Sequence, residues 1–305
     1  MPYVPISRMN ARGLADAAER RWAAILAARP DLEPALALQR RLISLVIQVA
    51  ETIEGGRLPR LSLPPKYVAA KLARGVPAFS AEPIPVPVAA LTPALLRLCE
   101  ELAAGGAGEA ADHIRDALAS GQIEPLSLLT ASLTRDQDAI RTGAVHRGLA
   151  PDLVWLVAEL AVSPFVHALQ RSLFANDAIA GALTEWRHGY CPACGSWPAL
   201  AEVVGGHRTL RCSFCAAAWE LSTYGCAYCE ESGEAFVTAA PDGERKDRRV
   251  EVCSACAGYF KTVDVPGLSP FPLLAIADLE TMDLDVAAME RGYARPPLKV
   301  FLARR

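Results

Sequence analysis

Eight of the nine cysteines in this 305-residue chain stand in four pairs with one spacing, Cys-x-x-Cys. Two thiolates separated by two residues lie at the tip of a tight turn, where they can share a metal ion as half of a tetrahedron. A second turn completes a site of four sulfurs, which suits Zn²⁺ or a single iron ion. The pairs are Cys191 and Cys194, Cys212 and Cys215, Cys226 and Cys229, and Cys253 and Cys256.

The gaps between the pairs predict how they combine. Seventeen residues separate the first pair from the second, and 23 separate the third from the fourth, and both gaps suit a β-hairpin between facing turns. Only ten residues separate the middle two pairs, which suits a link between modules. The sequence therefore predicts two four-sulfur metal sites, of the rubredoxin or zinc-ribbon type. The first is made by Cys191, Cys194, Cys212 and Cys215, and the second by Cys226, Cys229, Cys253 and Cys256.

Other uses of cysteine fit the sequence less well. A thioredoxin-like redox pair needs a thiolate at a helix N-terminus, and four tandem copies without βαβ flanks argue against it. A chaperone zinc module would repeat Cys-x-x-Cys-x-Gly-x-Gly, which is absent. His188 lies three residues before Cys191, but each site already has four thiolates, so we do not expect His188 to be a ligand. We expect His207 in a turn or at the surface, and Cys99, in an apolar helical run, as a buried core thiol.

Enzyme activity is not predicted. A closed cage of four sulfurs leaves no open coordination position, so metal-activated water chemistry is not expected. The sequence contains no Ser-His-Asp spacing, no P-loop and no G-x-G-x-x-G motif. We therefore assign no catalytic residues. The possible roles of the metal sites are structural support, electron transfer or reversible metal carriage.

Composition predicts the architecture around these sites. Hydrophobic residues make up 52% of the chain, and the N-terminal two-thirds is rich in Ala, Leu and Arg, which favours helices. From Trp186 onwards Cys, Gly, aromatics and short β-like runs appear. We predict an all-helical N-terminal domain, two tandem rubredoxin-like or zinc-ribbon modules, and a C-terminal helix. The predicted boundaries are 1–185, 186–223, 224–265 and 266–305.

Helical spacing of apolar residues locates the helices more closely. The segment Leu153–Leu169 is the longest apolar stretch, and because Glu159, Pro164 and His167 interrupt it, we expect a buried helix pair rather than a membrane span. Pro164 is expected to break the two helices apart. A Pro-rich connector is predicted over 75–93. Predicted helices cover 11–28, about 38–53, 92–104, 108–120, 136–147, 151–162, 165–186 and 276–291.

The charge of the chain and its first residues bear on whether it binds nucleic acid and on where in the cell it is expected. The net charge is −3, and residues 187–265 hold eight basic and ten acidic side chains, a poor footprint for nucleic acid. The basic cluster Arg245–Arg249 reads as a solvated hairpin loop. The first residues lack the basic and apolar regions of a signal peptide, so we expect a reducing cytoplasm, with metal rather than disulfides on the cysteines. A homodimer is left open.

The residues around the pairs resemble a known family, the formate dehydrogenase accessory protein family FdhE. The resemblance covers about 186–295 and is specific there, and over the helical region it rests on general layout. Between Trp219 and Cys226 the family pattern leads us to expect a basic residue, which this sequence lacks. The matching segments are Gly189-Tyr-Cys-Pro-Ala-Cys-Gly-Ser, Arg208-Thr-Leu-Arg-Cys-Ser-Phe-Cys, Cys226-Ala-Tyr-Cys-Glu, Val250 to Lys261, and Asp278 to Tyr293.

The resemblance implies a cytoplasmic accessory factor needed for active respiratory formate dehydrogenase, contacting the catalytic subunit before that subunit is exported. It also implies cysteine turns that bind iron in the rubredoxin manner, so iron is the preferred metal and zinc the alternative. The helical domain would dock the client. Arg208, Arg211 and Lys261 either temper the negative charge of the cages or are plain solvated charges. The alternative function is a zinc-ribbon scaffold for protein interactions, without redox chemistry.

Overall fold

The structure is a computed structural model that describes residues 3–56, 63–239 and 247–296. Its chain forms two compact units. The helical unit comprises Met9–Ser62 and Ala81–Arg171, and the cysteine unit comprises Met1–Arg8, Leu63–Ser80 and Ser172–Arg305. The domain boundaries drawn from composition stay a prediction, and the division into units is a separate observation.

Eleven α-helices lie within the described residues, together with a short 3₁₀ turn at Pro30–Leu32. Their positions agree with the predicted fold class, a helical N-terminal region followed by a small sheet and C-terminal helices. The helices are α1 Ala11–Ala28, α2 Glu33–Gly55, α3 Pro65–Leu72, α4 Val88–Leu102, α5 Gly108–Ala119, α6 Pro125–Leu133, α7 Gln137–His146, α8 Pro151–Phe174, α9 Asp177–Leu183, α10 Leu274–Glu280 and α11 Met282–Glu290.

Helix α1 shows why the N-terminal prediction succeeds. The side chain of Asn10 caps the helix by accepting a hydrogen bond from the backbone N–H of Gly13 at 2.8 Å. Leu14, Trp22 and Ile25 recur at helical spacing and are buried, as expected. Cys99, on α4, is also buried, which confirms its assignment as a core thiol, and burial raises its pKa to about 12.

The prediction that Pro164 breaks the chain into two helices is wrong. Helix α8 runs without a break from Pro151 to Phe174, so the predicted pair is one helix that ends before residue 186. Proline removes the N–H that would bond the carbonyl four residues back, and here the hydroxyl of Ser163 donates to that Leu160 carbonyl at 3.3 Å. The neighbouring Phe165 is fully buried, and its packing in the core stabilises the helix at the proline.

Helix α8 is the one described helix long and apolar enough to cross a membrane by length and composition. About two-thirds (67%) of its most apolar window is buried inside the protein. Such burial is typical of a core helix, as predicted for this stretch. The sequence did not predict α3 and α6, and one C-terminal helix was expected where α10 and α11 are separated at Thr281.

The cysteine unit contains one six-stranded sheet with the order β3-β2-β1-β6-β5-β4. Antiparallel hairpins β1–β2 and β4–β5 fill the two long gaps between cysteine pairs, as the spacing predicts. The parallel pairing of β1 with β6 joins the two halves into one sheet, which the spacing did not indicate. The strands are β1 Leu200–Val204, β2 His207–Arg211, β3 Ala218–Trp219, β4 Phe236–Ala239, β5 Arg248–Cys253 and β6 Gly258–Asp264.

The basic cluster predicted as a solvated loop falls partly on the sheet. Arg245 and Lys246 lie outside the described residues. Arg248 and Arg249 stand on β5, where they form ion pairs with Asp283 and Asp264 at 2.8 and 3.0 Å. For these two arginines the solvated-loop interpretation is wrong, because β5 extends further towards the loop than the sequence indicated.

Candidate metal centres

The structure brings the first two cysteine pairs together as the first cage, Cys191, Cys194, Cys212 and Cys215. The sulfurs of Cys191 and Cys215 are 3.5 Å apart, and those of Cys194 and Cys212 are 3.6 Å apart. All four sulfurs lie within 4.8 Å of one another. A tetrahedron with metal–sulfur bonds of about 2.3 Å has edges of roughly 3.8 Å, so the cage could hold a zinc or iron ion.

The other two pairs form the second cage, Cys226, Cys229, Cys253 and Cys256. Here the sulfurs of Cys226 and Cys256 are 3.7 Å apart, and those of Cys229 and Cys253 are 3.6 Å apart. The same tetrahedral dimensions fit. The pairing of turns is the one that the gaps predict, and neither cluster includes His188, whose ring stacks on Tyr190.

One backbone feature recurs in all four cysteine turns. The residue after the second cysteine of each turn has a positive φ, and the residues are Gly195, Ala216, Glu230 and Ala257. In the first three turns its N–H donates to the carbonyl of the first cysteine, at 2.9 to 3.0 Å. Glycine adopts this conformation freely, whereas alanine and glutamate adopt it at a cost. We infer that the cage geometry, rather than residue preference, holds three of the four turns.

Proteins of known name are similar to about half of this chain. No family model matches the chain. It is 32% identical over 153 residues to an FdhE homologue from Stutzerimonas stutzeri, with 47% of this chain and 49% of that protein aligned. It is 26% identical over 163 residues to an FdhE homologue from Aquifex aeolicus, with 50% and 53% aligned. The chain resembles proteins of the FdhE family. Its matches span about half the length of these relatives.

The fold of this chain also matches a solved structure. The crystal structure of the FdhE protein from Pseudomonas aeruginosa aligns with 100% of this chain and 99% of that chain, at a TM-score of 0.62. The identity between the two is 22%, so the likeness concerns the fold. It supports the order seen here, with helices first, then the sheet with its cysteine cages, and then the C-terminal helices.

Buried ion pairs hold basic residues of the sheet, and the sequence did not reveal them. Arg211 and Glu202 are fully buried on β2 and β1 and form an ion pair, and Arg211 also donates to the Ser269 carbonyl at 2.7 Å. Arg208 pairs in the same way with buried Glu251. Lys261, also fully buried, bonds Asp278 and Asp285, each at 2.7 Å.

These contacts exclude one of the two interpretations of the basic residues, that of plain solvated charges. Because Arg211 and Lys261 are fully buried and Arg208 is about 11% exposed, none is a plain solvated charge. Burial lowers the pKa of Arg211 to about 9, and the thiolates of Cys212 and Cys215 raise that pKa in opposition. The charge of Arg211 is balanced by the buried carboxylate of Glu202.

Burial also shifts the pKa of several cysteine thiols. It raises the pKa of Cys191 and Cys215 well above the ordinary thiol value. Burial acts on Cys253 in the same direction, but hydrogen bonds from the backbone of Cys256 and Ala255 outweigh it, and the pKa of Cys253 is lowered. Without metal, the thiols of Cys191 and Cys215 hold their protons at neutral pH, so metal binding must displace those protons.

The stability of the metal-loaded protein should therefore fall as the pH falls. Thiols of the unfolded chain titrate near pH 8.5, so below that value the unfolded chain takes up protons that metal-bound thiolates do not. The stabilisation is complete above about pH 8.5 and is lost on acidification, with affinity dropping about tenfold per pH unit for each proton displaced. Melting temperature and metal content measured together from pH 8 to pH 5 test this. Constant metal content and melting temperature over that range would contradict it.

Gly189 allows the two cages to approach each other. A side-chain Cβ at this position would lie 1.8 Å from the carbonyl oxygen of Ala227, inside the turn that carries Cys226 and Cys229. Gly189→Ala should therefore lower the free energy of unfolding by about 1–3 kcal/mol, because backbone must move to make room. Denaturant unfolding measures the loss. Gly267→Ala is the control, since its Cβ meets nothing within 4 Å, and equal stability of the two variants would refute the argument.

Proposed function

We propose that this chain is an accessory factor for the maturation of formate dehydrogenase, acting in the cytoplasm on the catalytic subunit before export. The observation that carries the proposal is the pair of closed four-cysteine cages in a chain that resembles FdhE proteins. The sequence resemblance to that family supplies the client. The helical unit, with its long apolar helices, is the part we propose to dock the client.

An accessory role is supported over an enzyme role by the closed coordination. Four sulfurs satisfy a tetrahedral ion and leave no position for substrate or water. Structural, electron-transfer or carrier functions use such a site without turnover. We propose that the purified chain alone converts no substrate, and that its activity is measured through the enzyme it helps to assemble.

We propose iron as the resident metal, on the strength of the rubredoxin-like form of the first turn, Cys191-Pro-Ala-Cys-Gly. A four-thiolate site accepts either iron or zinc, so metal analysis and a visible spectrum must decide. Iron-loaded protein is expected to be red and to bleach with dithionite. Colourless protein that holds only zinc after growth in iron-replete medium would favour the alternative, a zinc-ribbon interaction scaffold without redox chemistry.

The client is tested in cells. A strain of the native organism that lacks this protein is expected to lose respiratory formate dehydrogenase activity, and the intact gene is expected to restore it. Affinity purification of the tagged chain should recover a formate dehydrogenase catalytic subunit. Cys253→Ser is expected to reduce rescue, whereas Cys99→Ala, outside both cages, is expected to rescue fully. Normal enzyme activity in the deletion strain would overturn the proposal.

A further inference from the structure

The two cages differ in their exposure to solvent. In the first cage Cys191, Cys212 and Cys215 are fully buried, and Cys194 is partly buried. In the second cage Cys229 and Cys256 are exposed, and the whole turn Ser254–Ala257 faces solvent. The sulfur edge between Cys229 and Cys256 is therefore within reach of a molecule in solution, whereas the first cage presents little sulfur surface.

A segment distant in sequence covers the first cage. The N–H groups of Ala78 and Phe79 donate to the carbonyls of Pro192 and Ala193, at 2.8 and 2.9 Å, inside the first cysteine turn. We call residues 77–80 the strap. It is held in turn by buried Lys71, whose ammonium group donates to the carbonyls of Ala78 and Ser80 at 3.1 and 2.6 Å.

Solvent access to the sulfurs differs between the cages as well. Cys191, Cys212 and Cys215 are fully buried, whereas the exposed turns of the second cage allow water to solvate its sulfurs. Opening the first cage requires displacement of the strap, whereas opening the second does not.

We infer that the two cages have different functions: the first is a permanent structural site, and the second exchanges its metal with ligands in solution or on a partner. This rests on the proposed metal binding. Exchange proceeds by substitution, in which a competing thiolate or carboxylate ligand bonds to the metal as the bond to Cys229 or Cys256 breaks. The freed thiolate takes a proton from solvent, and no electron is transferred.

Metal release from the intact protein tests this inference directly. The chain is loaded with two zinc ions, mixed with excess EDTA, and pulse-labelled with N-ethylmaleimide, and each cysteine peptide is followed by mass spectrometry. We expect two phases of one ion each, with the second at least about tenfold slower. Peptides of the second cage should be labelled in the fast phase. Release in a single phase, or earlier labelling of Cys191 and Cys215, would overturn the inference.

A matched pair of variants tests the strap. Lys71→Met removes the donor that holds Ala78 and Ser80, and we expect it to accelerate the slow phase by roughly tenfold while the fast phase stays unchanged. Lys66→Met, an exposed lysine of the same helix, should leave both phases as in the wild type. An unchanged slow phase in folded Lys71→Met would refute protection by the strap. None of these results depends on formate dehydrogenase, so the inference and the proposed client fail separately.

Discussion

Replacement of Cys191 by serine is expected to remove one metal ion per chain and to unfold the cysteine unit. Cys191 is fully buried and contributes one of the four sulfurs of the first cage. Structural four-ligand zinc sites contribute about 10–16 kcal/mol of apparent folding free energy, whereas whole domains are stable by about 5–15 kcal/mol. If most of the free energy from metal binding is lost, the loss is larger than the free energy of unfolding, and the unit unfolds.

Metal content by native mass spectrometry and folding by circular dichroism measure this effect. Cys99→Ala is the control, because Cys99 is equally buried but lies on α4, outside both cages. Its loss removes only packing and should cost about 1 kcal/mol. A Cys191→Ser protein that keeps two metal ions and the wild-type melting temperature would show that the first cage does not hold the unit together.

The second large effect is expected at the buried ion pair of Arg211 and Glu202. Because the pKa of Arg211 is about 9, the guanidinium is charged at pH 7 and needs its carboxylate partner. Arg211→Met leaves the Glu202 carboxylate buried without that partner, which costs about 3–5 kcal/mol. The double variant Arg211→Met and Glu202→Leu should recover much of the loss, since apolar replacement of both members of a buried pair is often close to neutral.

Denaturant unfolding of the two single variants and the double variant measures the coupling between the residues. The control is Arg249→Met, which breaks the ion pair with Asp264. The side chains of Arg249 and Asp264 are 26% and 44% exposed. Partly exposed pairs contribute about 0–1 kcal/mol, so this variant should resemble the wild type. Equal losses for Arg211→Met and Arg249→Met would contradict a special role for burial.

The cysteine cages could be predicted because their information is local. The two-residue spacing fixes each turn, and the gaps of 17 and 23 residues fix which turns face each other across a hairpin. The helical N-terminal region is predictable for a similar reason, since the buried face of α1 repeats every three or four residues. The cysteine spacing and the helical periodicity can both be read from residues close together in the sequence.

What the sequence did not reveal depends on contacts between distant segments. Glu202 counts as one more acidic residue in composition, and only the sheet places it against Arg211. The strap reaches the first cage from more than a hundred residues away, and no local pattern indicates that contact. Helix α8 continues through Pro164, where the hydroxyl of Ser163 bonds the carbonyl that the proline leaves free and the core packs around the helix. Tertiary packing overrides the local rule at each of these places.

Native mass spectrometry of the protein, purified without added metal or chelator, tests the central claim most directly. We predict a mass equal to that of the chain plus two metal ions, with all nine cysteines free of disulfides. Tandem measurement after mild acid should show stepwise loss of the two ions. A folded, metal-free chain whose mass is reduced by disulfide formation within the Cys-x-x-Cys pairs would contradict the account of two metal cages.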